Sequence, residues 1–396
     1  MTEWIECKIS DIGTVVGGAT PSTKKPENYE NGTIAWITPK DLSTFSGRYI
    51  QRGERNITET GLKSCSTQLL PKNTVLFSSR APIGYVAIVA NDVCTNQGFK
   101  SVIPNENTDP VFLYYLLKYN KNKIEGMGSG TTFKEVSGST MKNIVVYIPE
   151  DKRVQEMVAS VLASLDSKIE ENTKINNNLL EQVLTVYRHS FVDTTNKLRQ
   201  TCRADEYFDI SIGKTPPRKE PQWFSTKSKD VTWVSISDMG TCGLYISKSS
   251  EQLTREAIDR HNVKIVPDNT VLLSFKLTVG RIAITDGEMT TNEAIAHFKT
   301  NKKEINEYLY CYLKCFNYQA MGNTSSIAIA VNSKLIKGMP FVVPTDKEIT
   351  EFHSLTAPMF AKIKANQSEI SNLVALRDTL LPKLMSGELD VSNIES

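Results

Sequence analysis

The sequence predicts an α+β protein. Two mixed α/β units stand in tandem repeat, separated and followed by long α-helices that pair as an antiparallel coiled coil, the whole pseudo-two-fold symmetric. Three observations predict it. The first is an internal repeat: "LPKNTVLFSSRAPIGYVAIV" at 70–89 and "VPDNTVLLSFKLTVGRIAIT" at 266–285 share nine of twenty positions without a gap, 196 residues apart. The second is the alternation, within each copy, of short β-branched or aromatic runs with turn residues. The third is a change of character after Pro149 and Pro344, where apolar residues begin to recur at helical spacing.

The repeat extends in both directions. "GATPS" at 18–22 faces "GKTPP" at 213–217, and "WITPKDL" at 36–42 faces "WVSISDM" at 233–239. "TNQGF" at 95–99 faces "TNEAI" at 291–295, and "FLYYLLKY" at 112–119 faces "YLYCYLKC" at 308–315. "KNIVVYIPEDK" at 142–152 closes the first copy and "KGMPFVVPTDK" at 337–347 the second. Six matches in one order at a near-constant offset mean duplication of one unit.

Within the first copy, "GTIAWIT", "NTVLFSS", "GYVAIV" and "NIVVYIP" read as strands bounded by Gly, Asn and Pro. "PVFLYYLLKY" reads as a short helix. From Asp151 to about Phe191 neither Pro nor Gly occurs, and Val154, Val158, Val161, Leu165, Ile169, Leu179, Val183 and Val186 make a coiled-coil seam. From Asp346 the corresponding seam is Ile349, Phe352, Met359, Ile363, Ile370, Leu373, Leu380 and Leu384, with Pro358 and Pro382 expected to break or kink it. The glycine of "SGEL" at 386–389 is a helix stop. Asn172 and Asn366 sit at equivalent places in the two helices. They either fix register from inside the seam or lie at its edge in water. The resulting boundaries are 1–150, 151–195, 196–345 and 346–396. Helices of ~40 residues reach roughly 60 Å, more than a globular core requires. They read as a rigid spacer between two similar heads, a geometry suited to duplex DNA.

Composition narrows the class. The chain has 396 residues, 40% hydrophobic and 23% charged, with net charge +2, ordinary for a soluble protein. The opening "MTEWIECKIS" has no apolar core and does not read as a secretory leader. No run approaches the ~18 apolar residues of a membrane span. The seven cysteines are scattered without a CxxC pair, which fits reduced thiols in a cytoplasm.

Motifs for catalysis are missing. Neither "NPPY" nor "DPPY" occurs, and no GxxxxGK[ST] phosphate loop is present. "GMGSG" at 126–130 precedes "TTFKEV" rather than an apolar helix, so it reads as a loop. Cys311 and Cys315 stand four apart in an apolar helix without a zinc-spaced partner set, and His189, His261, His297 and His353 are isolated. The sequence therefore predicts no enzyme, no metal and no cofactor in this chain.

Over its whole length the chain resembles the specificity subunit of type I restriction–modification systems. The resemblance rests on the duplicated unit-plus-helix, the "LPKNTVLFSSRAPIGYVAIV" segment and the "TPSTKKPENYENGTIAWITPKDL" opening. It rests also on "MGSGTTFKEVSGSTMKNIVVYIP" at the close of the first unit and "LRDTLLPKLMSGELDV" at 376–391. It implies two target recognition domains, each reading half of a bipartite site in double-stranded DNA. It implies docking of two methyltransferase subunits and of restriction subunits, with S-adenosylmethionine, ATP and magnesium used by those partners. The rival reading is a coiled-coil adaptor that joins proteins without reading DNA.

Lys and Arg suit phosphates, while Arg, Lys, Asn, Gln and Ser suit base edges. In the second copy the stretch 211–232 holds Lys214, Arg218, Lys219, Lys227 and Lys229 against Glu220 and Asp230. In the first copy the candidates are Lys24, Lys25, Lys40, Arg48, Arg52 and Arg55. Ser78, Ser79 and Arg80 of the repeated motif face Ser274, Phe275 and Lys276. Packing positions agree between copies while these polar positions differ, as expected if one frame carries two specificities.

Overall fold

The computed structural model describes residues 3–80, 82–130, 134–193, 199–321 and 332–391. Ala81 of the repeated motif, residues 131–133 of the closing segment and residues 194–195 of the expected spacer lie outside them. The chain divides into two compact units, one of residues 1–170 with 371–396, the other of 171–370.

In the first unit a five-stranded sheet runs in the order Gly13–Gly17, Lys100–Pro104, Val75–Phe77, Val86–Val89, Tyr49–Ile50. A three-stranded sheet orders Arg55–Ile57, Ile34–Ile37 and Cys94–Thr95. Trp4–Lys8 pairs antiparallel with Val145–Pro149. Val75–Phe77 is buried at every residue, because both faces of this central strand are covered. The helix Pro110–Tyr119 begins with proline at its first position, and Asp109 caps the Phe112 N–H at 2.7 Å.

The second unit repeats this order. Its five strands are Asp209–Ile212, Ile295–Lys299, Val271–Ser274, Ile282–Thr285 and Tyr245–Ile246. The smaller sheet gains a strand, Phe224–Ser225, beside Glu251–Leu253, Val231–Val234 and Thr290–Thr291. Thr201–Arg203 pairs with Pro340–Val342.

The long helices are Lys152–Tyr187 and Asp346–Met385. Within the second unit Asn172 donates to Glu369 at 3.0 Å and Asn366 donates to Asn176 at 2.8 Å. The contact moves forward in one helix as it moves backward in the other, so the pairing is antiparallel. In the first unit Arg377 meets Asp166 at 2.9 Å. Each unit's core takes in its share of both helices. Val158, Leu162, Leu384 and Met385 pack with Phe77 and Phe112, while Val183, Tyr187, Phe352 and Phe360 pack with Phe298 and Tyr308.

Two expectations for the helices are corrected. Val158 and Val183 are buried, but Val154, Val161, Leu165, Ile169, Leu179 and Val186 are only half-buried. The buried line in the first helix includes Gln155, Asp166 and Asn172. These polar groups tolerate burial because each has a partner: Gln155 bridges the Asp109 N–H and the Pro149 carbonyl at 3.0 Å each. Of the break or kink expected at Pro358 and Pro382, the break does not occur: the helix is continuous from Asp346 to Met385. Phe352, Thr356, Phe360 and Ile363 are buried on either side of Pro358, and this packing outweighs the one hydrogen bond each proline removes.

Candidate nucleic-acid interface

The same local frame is built in both units. Gly18 and Gly213 pass so close to the strand ends at Thr95–Asn96 and Thr291–Asn292 that any side chain would collide with their backbone. This close approach lets Ala19 and Lys214 donate to the Thr95 and Thr291 carbonyls at 3.0 and 2.9 Å. Trp36 and Trp233 then donate their indole N–H to the carbonyls of Ala19 and Lys214, at 3.2 and 3.3 Å. Asn96 and Asn292 each cap the N–H two residues on, at 2.9 and 3.1 Å, which turns out the exposed residue between. That residue is Gln97 in the first unit and Glu293 in the second, and each accepts from a threonine of the glycine loop, Thr20 or Thr215.

A second shared device lies beside it. Asp41 accepts from the Thr38 and Glu54 N–H groups at 2.7 and 2.8 Å, and Asp238 from those of Ser235 and Ser250 at 2.8 and 3.0 Å. The loops after the tryptophan strands are thereby fixed in one shape.

The side chains mounted on this frame differ. Arg55, paired across the strands with Trp36, lies over the Tyr29 ring at 4.3 Å and has no carboxylate partner among the described residues. Glu251 occupies that ladder position opposite Trp233. It clamps Arg218 from the glycine loop with two bonds of 2.8 and 2.9 Å, and holds the guanidinium over Phe224 and Trp233 at 4.1 and 4.6 Å. A guanidinium stacked on aromatic rings thus recurs from different elements, bare over Tyr29 in one unit and neutralised over Phe224 and Trp233 in the other.

The repeated motif forms the neighbouring loop. Ser78 and Ser79 are fully buried. Their hydroxyls donate to the Pro82 and Gly98 carbonyls at 2.8 and 3.2 Å, so they shape the loop instead of facing outward. Ser274 does the same toward Thr278 at 2.6 Å. Arg80 lies 3.8 Å from Glu135, which also binds Lys100 at 3.4 Å. In the second unit Phe275 donates to Ala294 at 2.9 Å, bringing exposed Lys276 beside Glu293. Partial burial pushes the Glu293 carboxyl upward, but the Thr215 hydrogen bond, aided by Lys276 and Arg218, holds it below the usual range.

Of the remaining candidates, Lys24, Lys25, Lys214, Lys219, Lys227 and Lys229 are exposed and without an ion pair among the described residues. Lys40 pairs with Glu54 at 2.8 Å, and with Arg52 these border an open cleft of about 440 Å³. Arg48 is elsewhere. Its guanidinium lies against the long helix, donating to Tyr115, Ala163 and Ser167 at 3.2, 3.4 and 3.3 Å, and its backbone N–H donates to Glu170. Gln367 makes the equivalent hook, accepting from the Tyr245 N–H at 3.0 Å. Asn172 and Asn366 are buried, at 2% and 1% exposure, rather than at a wet edge. Sequence reading passed over Gln97, Glu293 and Glu251. Their signal was present in "TNQ" facing "TNE" and in Arg55 facing Glu251 at the repeat offset.

Among the described residues no group of three His, Cys, Asp or Glu side chains is arranged to hold a metal ion. Cys311 is buried with its thiol pushed well above the ordinary range by burial, and Cys315 is exposed. Among the described residues no helix is long and apolar enough to cross a membrane.

The frame appears twice, and so does a family match. The family described as "Type I restriction modification DNA specificity domain" matches residues 1–181 and 197–368. The chain belongs to this family. The MjaIX specificity subunit of Methanocaldococcus jannaschii is 32% identical across 99% of this chain and 95% of its own length. The HindI specificity subunit of Haemophilus influenzae is 21% identical across 98% of this chain and all of its own. The crystal structure of a type I S subunit from M. genitalium shares the fold, with a TM-score of 0.59 at 17% identity, covering 97% of this chain and 96% of that one. The role of the specificity chain is accordingly DNA sequence specificity in a type I restriction–modification system. None of these matches favours the adaptor reading.

Proposed function

We propose that each unit of the specificity chain reads one half of a bipartite duplex target, and that the long helices set the unread spacer between the halves. The observation that carries this is one frame with different tips: Arg55 against Glu251, Gln97 against Glu293, Arg80 against Lys276. Gln suits adenine and Glu suits the cytosine amino group, so such exchanges alter what a groove-facing loop accepts. Exposed Lys24 and Lys25 in one unit, and Lys214, Lys219, Lys227 and Lys229 in the other, serve the phosphates. The buried Asn172 and Asn366 fix the register of the helix pair.

The chemistry belongs to partners. Two methyltransferase subunits dock on the specificity chain and use S-adenosylmethionine. Restriction subunits join them and use ATP and magnesium. The specificity chain contributes no catalytic group, cofactor or metal of its own, and works in the cytoplasm.

The test is to exchange residues 211–232 in the complete complex and map methylated adenines across a genome. The second half of the motif should change while the first half and the spacer hold. If both halves change together, one unit does not read one half.

A further inference from the structure

Leu277 is the most exposed large apolar side chain among the described residues, at 100%, and its φ is +60°. Leucine rarely adopts that backbone conformation, and each feature alone carries a cost. The turn around it is tight: the Thr278 N–H donates to the Lys276 carbonyl two residues back at 2.6 Å. Its base is held from several sides. Ser274 donates to the Thr278 carbonyl at 2.6 Å and accepts from the Arg281 N–H at 3.0 Å. The Gly280 N–H donates to the Ser274 carbonyl at 3.0 Å, and Phe275 is tied to Ala294 at 2.9 Å. These anchors impose a strained conformation on a side chain that makes no internal contact in return. The anchored strand end carries Glu293, and Lys276 stands next to the leucine, so the tip rises from the face assigned to DNA. At the repeat offset the first copy has Ala81, with only a methyl group.

We propose that Leu277 is a specificity-determining residue of the second unit, making an apolar base contact inside a DNA groove. Apolar side chains discriminate bases by packing on a thymine methyl or by wedging between base steps. A strained, rigid tip suits that role because its position is fixed before DNA arrives. The inference rests on the proposal that the second unit reads one half-site.

The experiment uses the complete complex with Leu277→Gly and Leu277→Met, and two duplexes: the mapped target and one with its second half-site scrambled. Leu277→Gly is expected to weaken target binding by about tenfold to a hundredfold, the range for losing one buried leucine contact, and to leave scrambled binding unchanged. Its melting temperature should hold or rise, because glycine adopts φ +60° freely. Leu277→Met should retain most discrimination. Replacing target thymines by uracil and placing 2-aminopurine at each base step assign the contact to a methyl or to a wedge. If wild type discriminates and Leu277→Gly discriminates equally, the assignment of Leu277 is overturned while the half-site reading stands. If wild type does not discriminate, the half-site reading falls and the assignment with it.

Discussion

Replacing Arg377 by methionine is expected to destabilise the first unit severely, whereas replacing Arg377 and Asp166 together is not. The Asp166 and Arg377 side chains are 10% and 22% exposed and 2.9 Å apart. Tyr115 donates to the other Asp166 oxygen at 2.7 Å, and Arg48 donates to Tyr115 at 3.2 Å. Removing only the guanidinium leaves a buried carboxylate with a single neutral donor. Breaking a buried pair from one side costs about 3–5 kcal/mol, while replacing both partners by apolar groups is close to neutral. Arg377 also pairs with Asp378, but that carboxylate is 60% exposed and contributes little. For a unit of this size the single substitution should lower the unfolding midpoint by roughly 6–20 °C. The assay is a double-mutant cycle, Asp166→Leu, Arg377→Met and both, followed by thermal melting with hydrogen exchange on the helix peptide 152–166. A coupling of ~3 kcal/mol that survives 1 M salt is expected, since buried pairs are poorly screened. Additive single losses would refute the reasoning and reduce the contact to a solvated ion pair.

Three further outcomes are expected. His297 is buried between Ser211 and Thr291, at 3.0 and 2.7 Å, and burial pushes its pKa down to about 3. The unfolded chain takes up a proton near pH 6.5 and the native state does not. Its contribution is therefore complete above that pH and is lost as pH falls toward 3, by at most ~1.4 kcal/mol for each pH unit. The difference between wild type and His297→Gln across pH 4–7 melts isolates it, and a difference that does not vary with pH contradicts it. Arg55→Ala should cost about 1–3 kcal/mol of target binding and relax the first half-site, whereas Arg218→Ala, whose guanidinium is already clamped by Glu251, should weaken all sequences alike. Competition binding on single-base variants separates the two. Four residues inserted after both Glu170 and Ile370 add ~6 Å to each helix without entering either unit's packing, and should widen the unread spacer by at most about two base pairs. A genome-wide methylation map that keeps the original spacer would show that partners, not helices, set the distance.

Elements whose reasons are local were legible in the chain. The helix at 110–119 carries its proline start and aspartate cap within itself, and "NTVLFSS" contains Val75–Phe77 between its own turn residues. The long helices were legible because an apolar period persists through them. What escaped were polar residues whose justification is distant. Asp166 looks like a surface residue until Arg377, 211 positions on, is beside it. Arg48 looks like a phosphate contact until Tyr115 and the long helix take up its donors. Ser78 and Ser79 have the right chemistry for a base edge, but their hydroxyls are bound to carbonyls under the loop. At Pro358 the break that the local rule allows is overridden by tertiary packing, and the helix continues. Of the candidate site, the loops were visible by comparing the two copies. The clamp of Glu251 on Arg218 was not, because charge reversal at a repeated position says nothing about which partner answers it.

Leu384, Met385 and Val391 lie in the core of the first unit, and a side chain at Gly387 would strike Trp4. Synthesis therefore runs against assembly order. As the chain leaves the ribosome, residues 1–170 emerge early but lack a wall of their own core. Residues 171–370 are contiguous and can close as soon as they are out. The unit made first is completed last, and for most of translation its apolar surface waits for a segment more than 200 positions downstream. A chain that stopped just past residue 370 would carry every residue of the second unit and an unfinished first one. A frameshift near residue 375 would injure the unit built on residues 1–170 rather than the unit that directly precedes it in sequence.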